Sequence, residues 1–292
     1  MNTKPTFLMV APTHYEVSYV INPWMQPGAW GTDPAGHRHQ AQTASDTLAA
    51  ALTSAGGEVV MLPGAPGLPD MVFPANAAVV LNRRALVARF ACAERRGEDA
   101  LFRAAFENLR ARGLVDVVEQ YPVGTFQEGA GDAIWDDGRQ LFWAGFGQRS
   151  SYASLKITEA FFDRPLVALE LVSPRFYHLD TCFLSLSGGE VLYYPLAFSN
   201  EGHATIETVA GRHNVIAARD EDAAGFCVNA VNIGRKIIMA RPPQRLADEL
   251  TERGYEVIAV DLDPFTLSGG GAYCMTLRLD RASKASEAIA AE

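Results

Sequence analysis

No stretch of this sequence approaches the ~20 consecutive apolar residues that a membrane-spanning helix needs, so a membrane protein of the helical kind is not expected. Basic residues are in the minority: 25 Lys and Arg against 34 Asp and Glu give a formal net charge of −9. Nucleic-acid binding rests on neutralising phosphates with a basic face, and this balance argues against it. Cysteine is sparse, four in 292 residues at 92, 182, 227 and 274, without a CxxC pair or a metal-ligand spacing. Free thiols in a reducing, cytoplasmic compartment are expected in place of a disulfide framework. The opening Met1–Pro5 carries one Lys ahead of a Phe7–Val10 run that is too short for a secretory signal and suits a first strand. Low-complexity tracts, charge runs and long linkers are missing too, so residues 1–292 are expected to form a single domain.

What is present is an ordinary globular composition. The chain is 48% apolar and 20% charged, with mean hydropathy +0.00, enough to bury a substantial core and exclude disorder. The acidic balance suits steering of a cationic small molecule, or simple solubility. Strand-like segments bounded by Gly or Pro fall at 7–10, 58–62, 77–81, 86–90, 140–144, 191–194, 236–240, 256–260 and 272–279. Helical segments fall at 41–55, 93–112, 154–162, 201–209 and 245–253, with Leu101, Ala105 and Leu109 spaced as the buried stripe of the second. One helix for every two or three strands differs from a regular βαβ alternation, and no GxGxxG follows a strand, so a parallel doubly wound sheet is not favoured. Units of roughly 50 residues, each a few strands and a helix, would tile this length.

Four segments carry polar residues that a structural turn or strand does not need. Glu128-Gly129-Ala130-Gly131-Asp132 sets two carboxylates around a backbone that a ligand can approach closely, though a polar hairpin loop would read the same. In an extended His178-Leu179-Asp180, imidazole and carboxylate face the same side, an acid/base pair or an ordinary loop. Ser268-Gly269-Gly270-Gly271-Ala272-Tyr273-Cys274 delivers the chain tightly into a strand bearing a cysteine, which is either reactive or a small buried hydrophobe. Asn22-Pro23-Trp24 and Phe73-Pro74-Ala75-Asn76 each set an Asn beside Pro and an aromatic, as turns also do. Cys182, four residues beyond His178, would sit ~13 Å along an extended strand, and Cys92 and Cys227 lie in apolar surroundings. The histidines form no HExxH pair, and neither GxSxG nor GxxxxGK[ST] occurs.

In their order along the chain, Tyr19–Met25, Val72–Ala77, Glu94-Arg95-Arg96-Gly97-Glu98, Glu128–Asp132, His178–Thr181 and Gly270–Cys274 resemble the guanidine-modifying, or pentein, superfamily. Its members include arginine dihydrolases, dimethylarginine dimethylaminohydrolases, arginine deiminases and amidinotransferases. The resemblance runs almost from end to end. It implies a five-bladed α/β propeller of repeated ββαβ units, one catalytic domain, with the site at its centre and neither metal nor cofactor. It makes Cys274 the nucleophile, His178 the general acid/base, and Glu128 and Asp180 the carboxylates around the guanidinium, with Asp132 in the same motif. Arg95, and Arg149 in Gly147-Gln148-Arg149-Ser150, would hold the substrate's α-carboxylate; Asn22 and Asn76 match the arginine dihydrolase pattern.

The chemistry suits those residue types. A guanidinium is planar, cationic and rich in N–H donors, so carboxylates clamp it well. Its carbon is a poor electrophile, which suits a thiolate attacker and a covalent thiouronium intermediate. Asn76 can donate to the oxygen of a neutral ureido group, as a carboxylate cannot. The expected activity is therefore arginine dihydrolase, giving ornithine, carbon dioxide and ammonia. Its alternatives are a dimethylargininase or deiminase that stops at citrulline, and an amidinotransferase. A pentein-fold binding protein would lack the His/Cys pair. Pro74, Ala78 and Tyr273 depart from the residues expected at their positions, Tyr273 replacing a commoner basic residue, so a modified guanidine stays open as substrate. The 26–39 segment reads as a lid over the site or a solvated surface loop. The partner is a small guanidine, and a homo-oligomer is compatible with the sequence.

Overall fold

The computed structural model describes residues 4–284. Its elements recur in one order. β1 (Thr6–Val10), α1 (Pro27–Trp30), α2 (Pro34–Ser54) and β2 (Glu58–Leu62) open the chain. Next come β3 (Ala78–Leu81), β4 (Arg84–Val87), α3 (Glu98–Ala111) and β5 (Val117–Gln120), then β6 (Ala133–Asp136), β7 (Leu141–Phe146), α4 (Tyr152–Phe162) and β8 (Leu166–Glu170). β9 (Phe183–Ser185), β10 (Val191–Tyr193), α5 (Asn200–Ala210) and β11 (Val215–Ala217) follow. After a short α6 (Asp220–Ala224) come β12 (Val231–Ile233), β13 (Lys236–Ala240), α7 (Gln244–Glu252) and β14 (Glu256–Val260), and finally α8 (Asp263–Thr266) and β15 (Leu277–Arg278).

These strands form five three-stranded sheets of one design. In each, two antiparallel strands are followed by a helix that carries the chain to a third, parallel strand. The first sheet is closed by the end of the chain: β15 pairs antiparallel with β1, Phe7 opposite Arg278. The expected ββαβ repeat is therefore present, shifted so that the C-terminal strand completes the N-terminal unit.

Local chemistry accounts for the pattern. Asn82 and Arg83 both take positive φ, the two-residue turn that matches strand twist and joins β3 to β4. On α3 the residues meeting the sheet are Phe102, Phe106 and Leu109, each fully buried and contributing ~2 kcal/mol by leaving water. Leu101, expected in that stripe, is 41% exposed, because the two phenylalanines set the buried face one residue further on. α2 starts seven residues earlier than expected: Asp33 accepts a hydrogen bond from Gly36 N–H and Pro34 opens the first turn. The 26–39 segment is consequently mostly helical. Trp30 is buried edge-on against Tyr15 at 5.1 Å, which anchors this otherwise largely solvent-facing segment to the core. Strand structure near Cys274 is confined to Leu277–Arg278, so the cysteine lies in a turn before it and not in the expected 272–279 strand. Among the described residues no helix is long and apolar enough to cross a membrane.

Candidate active site

Each unit enters its leading antiparallel strand through a tight turn, and the polar residues sit on those turns at matching positions. Two residues before β3, β6, β9, β12 and β15 stand Asn76, Gly131, Thr181, Asn229 and Met275; three before β9 and β15 stand Asp180 and Cys274. Five before β6 and β9 stand Glu128 and His178. The turns bond to one another in sequence. Asn76 Nδ2 donates to Glu128 O (3.2 Å), Leu179 N to Asp132 Oδ1 (2.9 Å), and Asn229 Nδ2 to Asp180 O (3.0 Å). Cys274 N donates to Asn229 Oδ1 (3.1 Å), and Ala75 N to Cys274 O (3.2 Å), which closes the ring. The approach is so close that a Cβ on Gly129, whose φ is +67°, would collide with Ala75 O.

Two polar clusters meet inside this ring. In the first, His178 Nε2 lies 2.7 Å from Glu128 Oε2, and Asn76 Nδ2 lies 3.3 Å from His178 Nδ1. The network fits the tautomer with its proton on Nε2, Nδ1 accepting from the amide. Glu128 also takes Arg149 Nη1 (3.1 Å) and Ala91 N (3.0 Å). Burial alone would raise its carboxyl, but Arg149 and His178 outweigh that and hold it well below the usual carboxylate range.

In the second cluster, Cys274 Sγ donates to Asp180 Oδ2 at 3.2 Å and accepts from Asn229 Nδ2 at 3.0 Å. Burial, then the neighbouring Asp180, push the thiol well above its ordinary value. Burial likewise pushes the Asp180 carboxyl up to about 7, against the hydrogen bonds from Cys274 and Asn229, and its Oδ1 is buried without a partner. Gly131 lies between the clusters. A Cβ there would strike Asn76 Nδ2 and stand 3.5 Å from Asp180 Oδ2, so only glycine fits where the two clusters approach each other.

The expected residues divide by what they touch. Cys274, His178, Glu128, Asp180 and Asn76 come together on neighbouring turns, although among the described residues no hydrogen bond joins His178 to Cys274 directly. His178 and Asp180 do not share a face as an extended strand would require: Leu179–Thr181 is a 3₁₀ turn that aims them into different clusters. Both oxygens of Asp132 are taken, by Ser150 Oγ (2.6 Å) and Leu179 N (2.9 Å). It ties turns together through one hydrogen bond on each oxygen. Asn22 donates Nδ2 to Ser268 O in the distant glycine-rich turn (3.0 Å) and accepts from Trp24 N in its own loop (2.9 Å). Arg95 gives Nε and Nη2 to Glu98, Nη2 also to Asp70 O, and Nη1 to Asn76, so its fork is spent mostly on internal partners instead of a free carboxylate site. Arg149 adds Ile21 O to Glu128 and lies over the Tyr177 ring at 4.8 Å. Tyr273 turns its hydroxyl to Ala130 O at 3.3 Å. Cys182 is close to His178 after all, its thiol 3.9 Å from His178 O, because the turn shortens the path; burial pushes its thiol far up and both its contacts are to carbonyls.

Asn229 and Asp70 are absent from the residues singled out by sequence. Asn229 stands in its turn where Asn76 stands in the first, a match visible once the repeats are aligned on their leading strands. Asp70 accepts from Tyr19 Oη at 2.9 Å and keeps a buried, unpartnered Oδ1. Its only signal was a carboxylate within an apolar, Pro-flanked run.

A buried thiol, an imidazole paired with a carboxylate held towards ionisation, and a second carboxylate with an unpartnered oxygen thus lie on neighbouring turns of one ring. The chain belongs to the dimethylarginine dimethylaminohydrolase family: the family model described as "N,N dimethylarginine dimethylhydrolase, eukaryotic" matches residues 22–281. It is 32% identical over 94% of its length to the N(G),N(G)-dimethylarginine dimethylaminohydrolase of Mycobacterium tuberculosis, spanning 85% of that protein. It is 39% identical over 93% of its length to the bifunctional arginine dihydrolase/ornithine cyclodeaminase ArgZ of Synechocystis sp., but spans 37% of that relative. The solved N-terminal domain of ArgZ with bound product, described as an arginine dihydrolase from cyanobacteria, superposes with a TM-score of 0.88 at 36% identity, covering 96% of this chain and 99% of that one. A cysteine-to-serine mutant of the same domain has been solved with substrate bound.

Proposed function

We propose that this chain is an arginine dihydrolase, converting arginine and two waters to ornithine, carbon dioxide and two ammonia. The observation that carries the reading is Asn76, an amide whose Nδ2 faces His178 between the two acidic clusters. Similarity to the ArgZ domain across nearly its full length supports it, as does the cysteine-to-serine complex of that domain.

The guanidinium enters between the two clusters near Gly131, clamped by Glu128 and Asp180. Its charge lowers the cost of a sulfur anion beside it, and the thiol proton passes to Asp180, the oxygen Sγ already meets. Cys274 attacks the guanidino carbon, giving a neutral tetrahedral adduct. His178, neutral in the network without substrate, takes a proton from solvent at Nδ1; as imidazolium it protonates one NH2 group, ammonia leaves, and a thiouronium remains. His178 takes a proton from water as hydroxide adds; collapse breaks the C–S bond, returns a proton to sulfur, and yields citrulline. The proton left on Asp180 departs with the ammonia as ammonium. A ureido oxygen held by the Asn76 amide presents citrulline to a second attack. The second ammonia leaves a thiocarbamate, whose hydrolysis gives the carbamate of ornithine and then carbon dioxide.

The five sheets of one design, the closed ring of turns, and a small cavity lined by β3, β6, β9, β12 and β15 together support a five-bladed propeller in one catalytic domain across the described residues. The four free cysteines support a reducing, cytoplasmic setting.

Purified protein incubated with arginine tests the reading through its products. Two ammonia and one ornithine per arginine are expected. Citrulline accumulating with one ammonia would mean that hydrolysis stops halfway, and a new guanidine on adding glycine would mean amidino transfer. Cys274→Ser should lower turnover by well over roughly a hundredfold with the fold intact.

A further inference from the structure

We infer that Glu98, acting through Arg95, fixes the direction of the Asn76 amide and so decides whether the ureido product is kept for a second hydrolysis. The inference rests on the dihydrolase reading. An amide has a donor end and an acceptor end of nearly the same shape, and can turn over unless its partners forbid it. A carboxylate has no such direction. A site that uses Asn where an acid would serve the first step therefore needs something to hold the amide one way round.

Arg95 is that holder. Its Nη1 donates to Asn76 Oδ1 at 2.8 Å, and a turned amide would oppose donor to donor. Nδ2 is thereby aimed at Glu128 O and His178 Nδ1, at 3.2 and 3.3 Å. The longer contact ends when His178 becomes imidazolium, because Nδ1 then carries a proton, and that N–H is released for a substrate oxygen. Arg95 is in turn held by Glu98, whose Oε1 and Oε2 take Nε and Nη2 at 2.9 and 2.8 Å, and by Phe90, whose ring centroid is 4.3 Å from the guanidinium carbon. Glu98 is fully buried in the first turn of α3 and gives both oxygens to Arg95. It is a positioning residue, one side chain removed from the group it orients.

Glu98→Gln keeps the shape of the pair but ends the two-point grip of a carboxylate on the guanidinium. Arginine is supplied and citrulline released per ornithine formed is measured, together with kcat/KM on added citrulline and on arginine. The ratio of citrulline to ornithine should rise on the order of tenfold, with kcat/KM for citrulline falling more than that for arginine. A merely structural role would lower both activities together and leave the ratio unchanged, and that result would overturn the inference. Arg95→Lys keeps the buried charge without the fork, and carries the same test if Glu98→Gln does not fold. Any weakening of α-carboxylate binding in that variant affects both substrates alike. Wild-type protein that makes citrulline and no ornithine would instead remove the dihydrolase reading, independently of either variant.

Discussion

Removing the Asn229 side chain is the sharpest probe of how, in the proposed mechanism, the sulfur would be made reactive. Its Nδ2 is 3.0 Å from Cys274 Sγ, and its Oδ1 accepts Cys274 N–H at 3.1 Å, so one residue holds both the backbone and the thiol of the attacking group. With a neutral thiol the Nδ2 contact is weak, but against a forming thiolate it becomes a hydrogen bond to a charge, worth ~1.5–3 kcal/mol. Lost from the attacking state alone, that energy corresponds to a fall in kcat of roughly ten- to hundredfold in Asn229→Ala. The variant also strands Cys274 N–H and Asp180 C=O in the interior, at ~1–3 kcal/mol each, so its thermal midpoint should fall as well.

The two effects separate by assay. Alkylation of Cys274 by iodoacetamide across a pH series reports the thiolate directly, and its midpoint should move upward in the variant. Steady-state ammonia release gives kcat. A folded Asn229→Ala protein with kcat within about twofold of wild type and an unshifted alkylation profile would refute the assignment of Asn229 as the donor to the sulfur anion.

Asp180→Asn tests the buried carboxyl on the other side of the sulfur. Burial pushes its folded value up to about 7 from 3.8, so the folded chain holds a proton that the unfolded chain releases between those values. Stability from this group is present below about pH 4 and is lost as pH rises through 7. The decline in thermal midpoint from pH 5 to 8 should therefore be shallower in Asp180→Asn than in wild type, and equal slopes would contradict the burial argument. Cys182→Ala removes a thiol bonded only to the carbonyls of His178 and Leu179. Its kcat should stay within about twofold of wild type, with a stability loss on the order of 1 kcal/mol from the small cavity; a large loss of activity on a stable fold would make Cys182 part of the chemistry.

The longer elements were legible in the sequence because packing and local preference agree in them. Lys236–Ala240 and Glu256–Val260 are strands at their expected bounds, rich in Ile and Val, and α4, α5 and α7 lie within two residues of expectation. What escaped were short strands such as Phe183–Ser185 and Val231–Ile233, three residues each, too brief for periodicity to register. The site followed the same division. Cys274, His178, Glu128, Asp180 and Asn76, singled out from motifs, are brought by the fold onto neighbouring turns, where residue type alone could mark them. The commitments of Asp132, Asn22 and Arg95 were not, since whether a polar side chain faces a ligand or a neighbouring turn depends on contacts distant in sequence, such as Asp132 with Leu179 N.

The repeat explains why so many of the buried polar residues sit on connecting turns. A tight turn before each leading strand gives every unit the same few backbone positions near its neighbours, and hydrogen bonds from turn to turn keep those positions fixed. Within that common frame the environment, not the residue type, assigns the roles. Glu128 and Asp180 are both buried carboxyls, yet Arg149 and His178 keep the first ionised, while the second, with a thiol and an amide for partners, is pushed towards neutrality. Two acids held at opposite protonation tendencies can bind one cation and still accept one proton. Under the proposed mechanism a guanidinium between them supplies the positive charge that Asp180 and Cys274 otherwise lack, so the substrate itself would complete the electrostatics that make the sulfur a nucleophile.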